Sequence, residues 1–333
     1  MATIKEVAKH AGLSVTTVSR YLNNHPYISD EKKEKIQKAM EALDYTPNAA
    51  ATQLRSNKSY TIGIIVSRIT NPYFSYLIDA IEQVVKPTPY HTLILQTYDD
   101  PKEEVRLLDM LKQRTIDGII MCSIENDISL IKQYKQYGPI VVTGDISLKK
   151  SGLPVVATDQ EEATYLAIKY LLDKGYTEIG YCTGGIFSKS KHGSSRKNGF
   201  IKALNEHHIE LNDSRIYNNV HTIDDGFKLG RSILNSPKNE WPEVIFTSSD
   251  EVAISLIHTF IEAGVKVPGD IAVMGYDNQP LTSMIQVPLT TVSQPVQAIG
   301  EEAVHLLISL LNEESYEVNE DRLMLEIVER KSV

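Results

Sequence analysis

The chain has 333 residues, 42% hydrophobic and 23% charged, the balance of a soluble globular protein of two or three domains. No apolar run approaches the ~18 residues that span a membrane, and the polar N-terminus is unlike a signal sequence, so a cytoplasmic protein is expected. The net charge of −9 is uneven: residues 1–60 hold nine Lys and Arg against six Asp and Glu, the remainder 25 against 37, so only the first segment suits a polyanion.

The first sixty residues read as three short helices. Thr3 precedes Ile4, Val7, Ala8 and Ala11, the stripe of an amphipathic helix, and pairs with Glu6 as a capping box. Gly12 stops that helix. Ser14 caps a second one whose buried face is expected to carry Val15, Val18 and Leu22, ended by Asn23, Asn24 and Pro26. Ser29 opens a third, with Asp30 and Glu31 in its first turn and Ile36, Met40 and Leu43 as its stripe. A four-residue turn between the first two helices makes a helix-turn-helix. Its second helix offers Thr16, Thr17, Ser19 and Arg20 to the major groove; arginine pairs bidentately with guanine, and threonine bonds a base or touches a thymine methyl. A plain helical bundle with a polar face gives the same pattern. Residues 48–55 are Ala-rich and helix-prone, but eight residues are marginal as an isolated helix and order only against a partner.

From Thr61 the pattern alternates. Strand-like runs fall at Thr61–Ser67, Thr92–Gln96, Gly118–Met121, Ile140–Thr143, Val155–Thr158, Ile179–Cys182, Val244–Thr247 and Ile271–Gly275, with another near Thr290. Helical stretches lie between nearly all of them, the first over about 73–85. Repeated βαβ units imply doubly wound parallel sheets, and the length suffices for two. Ligands of such sheets bind beyond the carboxyl ends of the strands. There lie Tyr73 and Phe74, Asp145, Asp159, Asp250, Asp277 and Gln294, with Arg196 at a helix start after the loop 184–195. Carboxylates, an arginine and aromatic rings together suit a polyol: Asp accepts paired hydroxyls, Arg donates in a fork, and a ring covers the apolar sugar face. Asp159 and Asp250 serve equally well as helix caps, Tyr73 and Phe74 as core; His221 is included beside them although a surface histidine reads the same way. Cys122 and Cys182 are isolated and expected as buried free thiols; no Cys/His cluster has zinc spacing, so neither metal nor cofactor is expected. An α/β enzyme is the competing class, but there is no G-x-S-x-G, no P-loop and no dinucleotide fingerprint after the first strand.

Thr3-Ile4-Lys5-Glu6-Val7-Ala8, Ala11-Gly12-Leu13-Ser14 and Thr17-Val18-Ser19-Arg20 together closely resemble the signature of LacI/GalR family repressors. Leu43-Asp44-Tyr45-Thr46-Pro47-Asn48 with Ala51 and Leu54 is similar to that family's hinge segment, although Tyr21 stands where the family usually has a smaller aliphatic residue. The likeness continues through Asn71-Pro72-Tyr73-Phe74, Asp117-Gly118-Ile119-Ile120, Val267-Pro268-Gly269-Asp270, Gly275-Tyr276-Asp277-Asn278, Leu289-Thr290-Thr291-Val292 and Glu329-Arg330-Lys331-Ser332. It implies an all-α helix-turn-helix head (1–46), a hinge helix and linker (47–60), and an α/β core like that of periplasmic sugar-binding proteins (61–333), split into 61–159 plus 290–318 and 160–289 plus 319–333 with three crossovers. It further implies a homodimer on a palindromic operator, contacts to DNA from Thr3, Ser14, Val15, Thr16, Thr17, Arg20, Asn23, Tyr45, Asn48, Ala51, Leu54 and Arg55, and a wedge of Leu54 into a base step of the minor groove. No leucine heptad ends the sequence, so a dimer and not a tetramer is expected. The named residues after the strands match the family's effector contacts, implying a sugar-like effector whose binding closes the cleft; control by a phosphorylated partner protein is the alternative signal.

Overall fold

The computed structural model describes residues 2–22, 26–46, 58–187 and 194–333. Two compact units separate at the linker, Met1–Ser59 and Tyr60–Val333.

In the first unit α1 spans Ile4–His10, α2 Val15–Leu22 and α3 Asp30–Ala42. The expected capping box forms: the Thr3 amide donates to Glu6 Oε2 at 2.7 Å, and the Glu6 amide donates back to Thr3 Oγ1 at 3.4 Å. Gly12 turns the chain at φ 64°, a conformation that glycine adopts without strain. Val7, Ala8, Val18, Ile36 and Ala39 form the small core. Val15 departs from expectation: it opens α2, outside the core gathered around Val18, and is 41% exposed.

The second unit holds two sheets. The first takes β1 (Thr61–Val66), β2 (His91–Gln96), β3 (Gly118–Met121), β4 (Ile140–Asp145) and β5 (Val155–Thr158) in the order β2-β1-β3-β4-β5, all parallel. Its helices are α4 (Pro72–Val85), α5 (Pro101–Lys112) and α6 (Ile128–Tyr134), joined by α11 (Val296–Leu311) from late in the chain. Ile62, Ile64 and Ile120 pack with α4 and α11 into one core; Ile65, Ile119 and Met121 pack with α5 and α6 into another. Both faces of β1, β3, β4 and β5 are thus covered, which is why these strands read as continuous apolar runs, while the edge strand β2 stays largely exposed.

The second sheet takes β6 (Ile179–Cys182), β7 (Ile216–Tyr217), β8 (Val244–Phe246), β9 (Ala272–Asp277), β10 (Thr290–Ser293) and β11 (Glu326–Val328) in the order β11-β10-β9-β8-β6-β7, parallel except where β11 runs against β10. Around it pack α7 (Gln160–Asp173) and α8 (Ser194–Glu206) on one side, α9 (Ile223–Asn235) and α10 (Asp250–Glu262) on the other.

The chain passes between lobes at Thr158–Gln160, at Ser293–Val296 and between Leu323 and Glu326. The division differs from the expected one. Residues 290–293 belong to the second sheet, where Thr290 lies beside Met274 in register with β9. Residues 320–323 stay with the first lobe, where Arg322 bonds the buried Glu302 of α11 and Leu323 joins the first core. The closing Glu329–Ser332 segment locks the second sheet: Ser332 Oγ donates to the Val273 carbonyl at 2.6 Å and accepts from the Thr290 amide at 2.8 Å.

Helices α7 and α8 approach closely at Gly199, where an added Cβ would meet the Glu161 carbonyl oxygen at 2.2 Å. Backbone cannot yield as a side-chain tip does. Gly199→Ala is therefore expected to destabilise the second lobe by about 1–3 kcal/mol, read as a lower urea midpoint by circular dichroism; an unchanged midpoint would contradict the close approach.

Candidate functional site

The head presents one polar surface on α2. Ser14 caps the helix, accepting from the Thr17 amide at 3.2 Å and sharing a hydrogen bond with the Thr17 hydroxyl at 2.8 Å. That cap fixes the helix start and leaves Thr16 and Arg20 exposed, with Thr17 half-buried. Thr3 is exposed, its hydroxyl engaged with Glu6. Tyr45 packs partly against the head core. Asn23, Asn48, Ala51, Leu54 and Arg55 lie outside the described residues, and the hinge reading with them.

The core unit carries its polar cluster where the carboxyl ends of both sheets face each other. From the first lobe, Asn71 caps α4 by accepting from the Tyr73 amide at 3.0 Å, and Tyr73 meets Phe74 edge to face at 5.3 Å. Asp145 ends β4; its Oδ1 accepts from the Ser147 amide at 2.9 Å and, across the lobes, from the Ser195 hydroxyl at 2.7 Å. Arg68, just past β1, reaches the second lobe too, donating to Glu251 Oε1 at 2.9 Å and to the His221 carbonyl at 3.0 Å.

From the second lobe, Arg196 lies flat on Tyr276, its guanidinium carbon 3.6 Å from the ring centre. It donates through Nε to Gln160 Oε1 and through Nη1 to the Ser248 carbonyl, both at 2.9 Å. Asp277 closes β9 at φ 117° and Asn278 follows at φ 55°; such backbone is uncommon for residues with a Cβ, and here it carries the cluster's acidic side chain. Gln294 Nε2 donates to Asp277 Oδ1 at 2.7 Å. Behind it, Asp250 is wholly buried and accepts from the Thr291 hydroxyl at 2.6 Å and the Gln279 amide at 2.7 Å. Gly275 makes that possible, because a Cβ there would meet Asp250 Oδ1 at 2.3 Å.

Burial pushes the Asp277 carboxyl up to about 7, against the pull of Arg196 and the Gln294 bond. Burial, then the neighbouring Asp277, holds Asp250 well above the carboxylate range. Burial likewise raises the Tyr73 hydroxyl, with Cys122 and Asp277 adding to the rise and Arg196 opposing it.

Asp145, Arg196, Asp277 and Gln294 are thus brought together, with Tyr73 opposite. Asp159 does not join them: it is exposed and caps α7 by accepting from the Glu162 amide at 2.9 Å. Asp250 acts as a buried strut. His221 stands at the mouth, 3.9 Å from Asp99 of the first lobe. Gln160, which was not among the residues expected from the sequence, is central; its signal was its place two residues after β5, next to Asp159. Burial raises both thiols, Cys122 to about 12, so neither is a ready nucleophile. Among the described residues no His/Cys/Asp/Glu group could hold a metal ion, and no helix is long and apolar enough to cross a membrane.

This chain is similar to known proteins. Residues 3–48 match the family profile described as bacterial regulatory proteins, lacI family, and residues 59–323 match that of periplasmic binding proteins and sugar binding domain of LacI family. The regulator of the NTD biosynthesis operon, NtdR of Bacillus subtilis, is 36% identical over 94% of this chain and 93% of its own. The repressor PurR of Mannheimia succiniciproducens is 33% identical over 100% and 99%. Among solved structures, a LacI family regulator from Lactobacillus casei with bound glucose superposes with a TM-score of 0.77 at 36% identity, over 82% of this chain and 99% of that one. The lac repressor dimer bound to operator and the anti-inducer ONPF shares the fold at 24% identity, with a TM-score of 0.83 over 99% and 98%.

Two carboxyls with raised pKa bind more protons folded than unfolded between about pH 4 and pH 7, so this pair's contribution to stability falls as pH rises through that window. Asp277→Asn is expected to flatten the fall by up to about 1.4 kcal/mol per pH unit, measured by urea unfolding at intervals across it; parallel curves for the variant and the parent would contradict the assignment.

Proposed function

This chain belongs to the LacI family of bacterial regulatory proteins and is a DNA-binding transcriptional regulator, and we propose that it is a repressor that reads a palindromic operator as a homodimer under the control of a sugar held in the cleft of its core. The observation that carries the effector half is Arg196 laid on Tyr276 beside buried Asp277, with Tyr73 across the cleft. A polyol meets a fork of donors, an acceptor and an aromatic face there. That the relative from L. casei was solved with glucose supports a sugar in this chain too. For the DNA half, Thr16 and Arg20 stand exposed on a helix whose start Ser14 fixes; Thr3, Ser14, Val15, Thr17, Asn23 and Tyr45 are proposed around them. Asn48, Ala51, Leu54 and Arg55 are proposed as minor-groove contacts on the strength of the family likeness.

Dimerisation is supported by exposed apolar side chains on the core unit: Leu93 and Ile94 on the edge strand β2, Tyr76 on α4, and Leu281 and Met284 after β9. Two heads then engage two half-sites. The reading is of a cytoplasmic binding protein and not an enzyme, since the cluster pairs carboxylates with amides and a stacked arginine, without an activated nucleophile.

Selection from random duplex DNA with the full chain is expected to enrich a two-half-site palindrome; no enrichment would overturn the DNA reading. Arg20→Ala is expected to weaken the selected operator by about 1–3 kcal/mol in an anisotropy titration. Calorimetry with a panel of sugars and sugar phosphates tests the cleft: heat with one member, abolished in Asp277→Ala while operator affinity stays, supports it. An operator that no small molecule affects moves the signal to a protein partner.

A further inference from the structure

Arg196 and Asp277 lie on different elements of the second lobe, yet one line of side-chain hydrogen bonds joins them. Arg196 Nε donates to Gln160 Oε1 at 2.9 Å, Gln160 Nε2 donates to Gln294 Oε1 at 3.1 Å, and Gln294 Nε2 donates to Asp277 Oδ1 at 2.7 Å. The arginine end fixes the direction of both amides. Arg196 can only donate, so Gln160 turns its oxygen to Arg196 and its nitrogen to the Gln294 oxygen, which leaves the Gln294 nitrogen facing Asp277 Oδ1. Tyr276 supports the same orientation, its hydroxyl donating to Gln160 Oε1 at 2.6 Å. Each amide thus polarises the next.

The two glutamines also stand on two of the three crossovers. Gln160 directly follows the passage from β5 to α7, and Gln294 lies in the passage from β10 to α11, where Val296 bonds back to its carbonyl at 2.8 Å. Gln160 further touches the first lobe, its main-chain N–H donating to Asp145 Oδ2 at 3.2 Å. Both glutamines are buried, at 9% and 8% exposure, so water does not readily replace a lost bond.

We propose that the Gln160–Gln294 amide pair is the coupling element of this regulator, clamping the two crossovers together and placing them in one polarised line with the groups that meet the effector. Gln160 is then a positioning residue: it sets the angle between the lobes through Gln294 and Asp145. A ligand that takes up Arg196 or Asp277 draws on a bond of the line and so acts on both crossovers at once. This rests on the effector reading of the cleft, but the clamp itself acts on lobe geometry and is testable without any ligand.

The experiment is electron–electron distance measurement on the full chain, spin-labelled through Lys102→Cys in the first lobe and Arg231→Cys in the second, both exposed. The parent is expected to give a narrow inter-lobe distribution. Gln160→Met, which keeps the shape and removes every side-chain bond while leaving the main-chain bond to Asp145, is expected to widen it at least twofold. Gln160→Glu separates the clamp from the anchoring of Arg196: it still accepts from Arg196 and Tyr276 but cannot donate to Gln294, so it too is expected to widen the distribution. A parent-like width in Gln160→Glu, or in folded Gln160→Met, overturns the proposal. Folding is checked by circular dichroism, and Gln294→Met provides a second route to the same bond should Gln160→Met fail to fold. A widened distribution in a protein that responds to no sugar upholds the clamp and rejects the effector reading instead.

Discussion

Everything in the core unit turns on a carboxyl placed where carboxyls are least at ease. Asp277 is buried at the end of β9, on backbone with φ 117°, beside a second buried carboxyl, Asp250. Burying such a group is unfavourable unless its lone pairs are met. The surroundings read as the answer to that need: Gln294 and Gln279 donate to Asp277, Thr291 and the Gln279 amide hold Asp250, Gly275 leaves room for it, and Arg196 supplies a positive charge nearby. Residues of β9, of β10 and the crossover after it, and of the starts of α8 and α10 therefore converge on one point, the proposed place of a ligand's polar contacts.

The same convergence gives the regulator its sensitivity. Arg68 to Glu251 and Ser195 to Asp145 already tie the lobes together. A ligand need add only a modest preference for one lobe arrangement, about 1–3 kcal/mol, to change operator affinity five- to a hundredfold. Buried polar lines suit this work better than apolar surface does. Apolar contact tolerates sliding, whereas a hydrogen bond in a dry setting is either made or lost.

Much of this was legible in the sequence, and what was not has physical reasons. The capping box of Thr3 and Glu6, the Ser14 cap and the buried strands were visible because each is set by local chemistry or by continuous apolar runs. The places of Asp277 at a strand end and of Arg196 near a helix start were legible because a continuous apolar run precedes the one and a loop the other. The short strands Ile216–Tyr217 and Glu326–Val328 were missed, being too brief for a pattern. Val15 was misread because periodicity assigns a face without saying where a helix core ends. Placing 290–293 with the first lobe failed because a crossover is a tertiary event: nothing in Thr-Thr-Val-Ser says which sheet it joins. Asp159 looked like Asp277 in sequence, and only the fold makes one a cap and the other the floor of a cleft.

The claim that binds these parts together is that occupation of the core changes what the head holds. The direct measurement is an anisotropy titration of the selected operator with the full chain, with and without a saturating amount of the sugar that gives calorimetric heat. The account predicts a shift in operator affinity of at least fivefold, absent in Asp277→Ala. Identical operator affinity with the cleft filled and empty would contradict it.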